Sequence, residues 1–116
     1  MAMLRGEPVF VISVAARLLE MHPQTLRKYE REGLIQPSRT TGNLRLYSDR
    51  DIERLRQVKY LVDECGLNLA GVQLALAMTN RLREVRSGVG DATPDQLRRD
   101  IDGLLRILGI AEDPTR

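Results

Sequence analysis

The stretch Met21-His22-Pro23-Gln24-Thr25-Leu26-Arg27-Lys28-Tyr29-Glu30, lying inside a longer segment from Ser13 to Tyr47, decides the fold. Pro23 suits the first position of a helix, where its missing N–H would have no intrahelical partner. His22 precedes it as the cap, a weaker choice than Ser, Thr, Asp or Asn. Gly33 supplies a left-handed stop. The stretch therefore reads as the turn and second helix of a helix-turn-helix, ending near Glu32. Leu26 and the ring of Tyr29 face the body of the domain. Gln24, Thr25, Arg27, Lys28 and Arg31 are left for the open side, with the chemistry that base edges and phosphates require.

Working back from this helix, Met21, Leu18 and Val14 recur on one face of a first helix. That helix runs from Val14 to about Leu19, is capped by Ser13, and turns Arg17 and Glu20 outward. Val9 to Ile12 reads as extended. Residues 1–8, broken by Gly6 and Pro8, read as a flexible lead-in.

Working forward, Leu34-Ile35 anchors the chain and Pro37 marks an edge. Arg39 to Tyr47 reads as a β-hairpin, with turn chemistry at Thr41-Gly42-Asn43 and a period of two in Leu44, Leu46 against Arg45, Tyr47. Such a hairpin after a helix-turn-helix is a wing. Its arginines, Arg39 and Arg45, are expected to point away from the leucines and reach a phosphate backbone. Standing alone, the hairpin is equally a solvated surface feature.

Ser48 and Asp51 come close to a capping box and open a third helix, Asp49 to Glu64. Ile52, Leu55, Val58, Leu61 and Val62 form its inward stripe, with Arg50, Arg54 and Lys59 largely outside. Gly66 ends it. Asn68 caps a fourth helix from Leu69 to about Ala77, with an extension toward Val85, and Leu69, Val72, Leu76 and Met78 are its apolar contacts. Ser87 to Ala92 is the clearest break.

Thr93 then caps a last helix that has Pro94 at its first position and Asp95 near the positive dipole end. Leu97, Ile101, Leu104 and Leu108 follow the 4-3-4 spacing of a coiled-coil seam, widened by Leu105. The stripe either folds back on its own domain or meets the same helix of a second chain, and the seam spacing favours the second. The expected organisation is mainly α: a lead-in (1–8), a winged helix-turn-helix with a small β-hairpin wing (9–86), a linker (87–92), a C-terminal dimerisation helix (93–109) and a charged tail (110–116).

The 116 residues, 42% apolar and 29% charged, suit one globular domain with a short appendage. The net charge is only +2, but it is unevenly placed. Residues 1–60 hold 11 Arg and Lys against 7 Asp and Glu, and residues 61–116 hold 7 against 9. A basic front beside the helix-turn-helix suggests a polyanion partner. Cys65 is the single cysteine, which excludes an intrachain disulfide and a Cys-rich metal cluster and fits a reducing, cytoplasmic compartment. The apolar run from Pro8 to Ile12 is too short for a signal peptide, and no stretch approaches the roughly 20 apolar residues of a membrane span. With one His, one Cys and no Gly-rich phosphate loop, no catalytic set is expected.

Ser13 to about Leu76 resembles the DNA-binding domain of the MerR family of transcription regulators. The resemblance is carried by Ser13-Val14-Ala15-Ala16, by Thr25-Leu26-Arg27-Lys28-Tyr29-Glu30 and by Arg31-Glu32-Gly33-Leu34-Ile35. It continues through Arg45-Leu46-Tyr47-Ser48 and Asp51-Ile52-Glu53-Arg54-Leu55. Lys28 stands where the common family form has a second aromatic. Phe10-Val11-Ile12, His22-Pro23-Gln24, Gln36-Pro37-Ser38-Arg39-Thr40, Leu55-Arg56-Gln57-Val58 and Gly66-Leu67-Asn68-Leu69-Ala70-Gly71-Val72 most resemble the heat-shock repressors within that family. This resemblance implies a homodimeric repressor of chaperone operons, bound to an inverted repeat, with the chaperone DnaK as co-repressor.

The residues themselves give a matching expectation. Gln24 and Thr25 lie near base edges, with Arg27, Lys28 and Arg31 beside them, and which of them reads a base stays open. Arg39, Arg45 and Tyr47 from the wing, with Arg54 and Lys59 from the third helix, grip phosphates. Ser13, His22 and Asn43 complete the expected contact set. No cofactor or metal is expected. The rival readings are a metal or redox sensor using Cys65, a small-molecule-responsive regulator, a DNA-bending accessory protein and a plain interaction module. About 30 residues after the fourth helix leave little room for a sizeable ligand pocket.

Overall fold

The computed structural model describes residues 9–110, so the expected lead-in 1–8 and all of the tail beyond Ile110 lie outside the described residues. The chain divides into two compact units, residues 1–67 and 68–116. The division falls earlier than the expected boundary at residue 86.

The first unit begins with strand β1 (Val9–Val11), which runs directly into helix α1 (Ile12–Leu19). The expected cap at Ser13 is corrected. Val11 occupies the cap position without a side-chain bond, and Ser13 is an exposed residue of the first turn. A strand that feeds straight into a helix leaves no separate capping residue. The inward face also differs from the expected Val14, Leu18 and Met21. Ala15, Ala16 and Leu19 are the buried residues, and Leu18 is 42% exposed. Two alanines here permit close approach of neighbouring helices.

Helix α2 (Pro23–Arg31) has the expected ends. Pro23 is in its first turn, His22 caps it, and Gly33 follows at φ +79. Leu26, Tyr29, Leu34 and Ile35 are buried. Strands β2 (Ser38–Arg39) and β3 (Arg45–Ser48) form the hairpin. β3 also pairs with β1, giving a three-stranded antiparallel sheet in the order β1-β3-β2. Helix α3 (Asp49–Asp63) opens on a complete capping box. The Ser48 hydroxyl accepts from the Asp51 N–H at 3.1 Å, and the Asp51 carboxylate accepts from the Ser48 N–H at 3.0 Å. Ile52, Leu55 and Val58 are buried as its stripe, and Gly66 (φ +67) follows the helix end.

The second unit holds helix α4 (Leu69–Gly88), a 3₁₀ turn (Val89–Asp91) and helix α5 (Pro94–Ile107). Asn68 caps α4 through the Gly71 N–H at 2.9 Å, and Thr93 caps α5 through the Gln96 N–H at 3.1 Å. α4 runs well past Ala77, so Ser87 and Gly88 are helical and the expected linker is largely a tight turn. α5 lies against α4. An ion pair at 3.5 Å from Arg81 Nη2 to Asp100 ties the two helices. Gly103 sits beneath the same guanidinium, where a Cβ would stand 3.3 Å from Arg81 Nη2. No residue of α5 is fully buried: Leu97, Leu104 and Leu105 are half-buried, while Ile101 and Leu108 are 52% and 51% exposed.

Candidate nucleic-acid interface

Helix α2 presents a polar ridge. Gln24, Lys28 and Arg31 are exposed at helical spacing, and Thr25 and Arg27 flank them half-buried. His22 Nδ1 accepts from the Gln24 N–H at 3.0 Å, which satisfies one of the orphan donors at the helix start. Leu26 and Tyr29 fix the opposite side in the core, and burial, reinforced by the charges of Asp63 and Glu32, raises the Tyr29 hydroxyl above its ordinary pKa. The ridge residues are thus held out from the surface by a buried face on the same helix.

The wing faces the other way from the expected one. Register places Phe10 opposite Tyr47 and Arg39 opposite Arg45. Directly opposed residues share a face, as do residues two apart in a strand. Arg39, Arg45 and Tyr47 therefore lie together. Along β3 that face turns inward, Tyr47 being 0% exposed and Arg45 half-buried, whereas Leu44 is 55% exposed and Arg39, on the edge strand, stays exposed. Arg39 and Arg45 point away from the leucines as expected, but they are not simply exposed. Both reach Glu30 of α2, Arg39 Nη2 to Oε2 at 3.1 Å and Arg45 Nε to Oε1 at 2.6 Å. The expectation that Tyr47 grips a phosphate from the surface is corrected, because its hydroxyl is buried, with no hydrogen-bond partner among the described residues.

Arg39 Nη1 also donates to the backbone oxygen of Asn43 at 3.1 Å and to its Oδ1 at 3.3 Å. Asn43 adopts φ +66 at the exposed turn, a conformation asparagine tolerates better than most residues. The two helix-three cations are likewise engaged. Arg54 Nε donates to the Leu34 carbonyl at 2.6 Å, and Lys59 Nζ to those of Leu19 and Glu20 at 2.9 and 3.4 Å. Both brace the helix-turn-helix through these carbonyls. Ser13 is exposed in the first turn of α1.

Glu30 is the residue that sequence reasoning passed over. An acidic side chain on a helix otherwise rich in cations, with two arginines in the following hairpin, was the available signal. Among the described residues no group of three or more His, Cys, Asp or Glu could hold a metal ion, and no helix is long and apolar enough to cross a membrane.

The profile of the MerR HTH family of regulatory proteins matches residues 10–79. A Streptomyces coelicolor protein provisionally named heat shock protein HspR is 52% identical over 80 residues, which are 69% of this chain and 53% of that protein. The chain thus spans about half of that relative's length. The transcriptional regulator GlnR of Bacillus anthracis is 34% identical over 98 residues, 82% of this chain and 75% of GlnR. Among solved structures, HiNmlR, a MerR family regulator lacking the sensor domain and bound to promoter DNA, aligns with a TM-score of 0.51. That alignment has 20% identity and covers 88% of this chain and 71% of HiNmlR, so it bears on fold alone.

Proposed function

The chain belongs to the MerR HTH family as a DNA-binding transcription regulator, and from that premise we propose that it represses heat-shock and chaperone genes. In this reading it binds an inverted-repeat operator as a homodimer in the cytoplasm, with the chaperone DnaK as co-repressor. The observation that carries the heat-shock assignment is the 52% identity to the Streptomyces protein over 69% of this chain.

The mechanism follows from the interface. The N-terminal half of α2 enters the major groove, where a bidentate Gln–adenine or Arg–guanine pair discriminates by about 1–3 kcal/mol. Gln24, Thr25, Arg27, Lys28 and Arg31 are the candidates, with His22 holding the helix start. The wing, through Arg39, Asn43 and Arg45, lies on the flanking phosphates and sets register. One such reader covers too few base pairs to single out a promoter, and two on a pseudo-palindrome suffice. Leu97, Ile101, Leu104, Leu105 and Leu108 supply the dimer contact, the half-open stripe of α5 meeting that of a second chain. The family is one of regulators, so no catalytic step is involved.

A mobility-shift assay on the region upstream of the chaperone genes, with and without DnaK, tests this reading. Retardation strengthened by DnaK is expected. Retardation of other promoters but not this region would remove the heat-shock assignment, and retardation indifferent to DnaK would remove the co-repressor.

A further inference from the structure

Arg39 and Arg45 are directly opposed across the hairpin. Like charges at that spacing repel, so the pairing needs a counter-charge. It comes from another element: the Glu30 carboxylate of α2 takes one arginine on each oxygen, at 3.1 and 2.6 Å. Arg39 carries the connection on to the turn through Asn43. Recognition helix, both wing strands and wing tip are thus one hydrogen-bonded network. All three charged side chains stay partly exposed, at 34%, 25% and 23% for Arg39, Arg45 and Glu30, so a phosphate oxygen can approach. Arg45 is engaged through Nε. Hydrogen bonds from Arg45 and then Arg39 outweigh the effect of burial and hold the Glu30 carboxyl below its ordinary pKa, so it is ionised at neutral pH.

We propose that Glu30 is a positioning residue that sets DNA specificity: it fixes the wing guanidiniums relative to the recognition helix and withholds part of their charge from unmatched DNA. The inference rests on the DNA-binding reading. On a matched site, the fixed arginines meet the phosphates that flank the bases read by α2. On unmatched DNA, the carboxylate offsets one of the two wing charges and weakens non-specific attraction. Glu30→Gln breaks this arrangement, because an amide offers one acceptor oxygen and turns its N–H donors toward a guanidinium that can only donate.

The test uses the full chain and two duplexes of about 30 bp, long enough for two half-sites. One is enriched by the wild-type chain from a random pool, and the other has mixed sequence without that site. E30Q is expected to bind the enriched duplex about tenfold more weakly, the size of one lost specific contact. It should bind the unmatched duplex more tightly, with a salt slope steeper by about 1. In the wild-type chain, the Arg45 Nε–H resonance should show slowed exchange both free and in the complex. An unchanged specificity ratio in E30Q would overturn the proposal. So would tighter binding of the enriched duplex, which would make Glu30 a competitor of DNA, or an Arg45 Nε–H that exchanges like free arginine. If the wild-type chain enriches no duplex at all, the DNA reading fails and this inference falls with it.

Discussion

Tyr47 carries a polar hydroxyl into a fully buried position, where it has no hydrogen-bond partner among the described residues. Desolvating such a group costs about 1–3 kcal/mol, so replacing it with an apolar side chain of the same shape should not destabilise the fold. Tyr47→Phe is expected to leave the denaturation midpoint unchanged or raise stability by up to about 1 kcal/mol. DNA affinity should stay as it was, and a loss of affinity would place the hydroxyl at the phosphates. Glu30 gives a pH prediction with a definite sign. Its pKa is lower folded than unfolded, chiefly through the Arg45 hydrogen bond, so its contribution is present above the ordinary glutamate value of about 4.3 and is lost as pH falls through the folded value. Denaturation midpoints of wild type and Glu30→Gln should therefore converge in acid. A gap that persists well below that window would mean the carboxylate charge is not what matters.

At the scale of elements, α2, α3 and α5 and the starts of the helices after α1 were legible because their signals are local. Pro23, Asn68, Thr93 and the Ser48–Asp51 pair each act within a few residues of the backbone they cap. The hairpin was legible as a hairpin, but its facing was not. A period of two says which residues share a face, and not which face is covered. Leu44 and Leu46 suggested one answer, whereas Glu30, fifteen residues from Arg45, and the unforeseen pairing of β1 with β3 gave the other. The partners of Lys59, the carbonyls of Leu19 and Glu20, are not local either: both are about forty residues away. They lie at the end of α1, where Glu20 is left-handed at φ 53. Lys59→Met keeps the aliphatic stem and removes these bonds. It should lower stability by about 1–2 kcal/mol, read from denaturant unfolding, and leave the DNA affinity of the folded fraction nearly unchanged. A variant with full stability and weakened DNA binding would return Lys59 to the phosphate contacts.

For the whole molecule, the charge asymmetry and the last helix were the informative sequence features, since the basic front coincides with the unit that holds α2 and the wing. In the proposed dimer the use of α5 would depend on a second chain, which no single-chain pattern fixes. Its half-buried and exposed apolar residues coexist with packing on α4, so the fold-back that the sequence left open occurs in part. Truncation after Ala92 should leave residues 1–67 folded and weaken binding to a two-half-site duplex by about 10²–10⁴-fold, the gain that linking two readers gives. Equal affinity of the truncated and full chains would mean that α5 does not pair the readers.

The most direct measurement is equilibrium binding of the full chain to a duplex it enriches, taken across a range of salt concentrations. Each phosphate neutralised contributes about −0.9 to the slope of log K against log salt, so two readers meeting about three phosphates each should give a slope near −5. A slope near zero would contradict the picture of α2 and the wing lying along a DNA backbone.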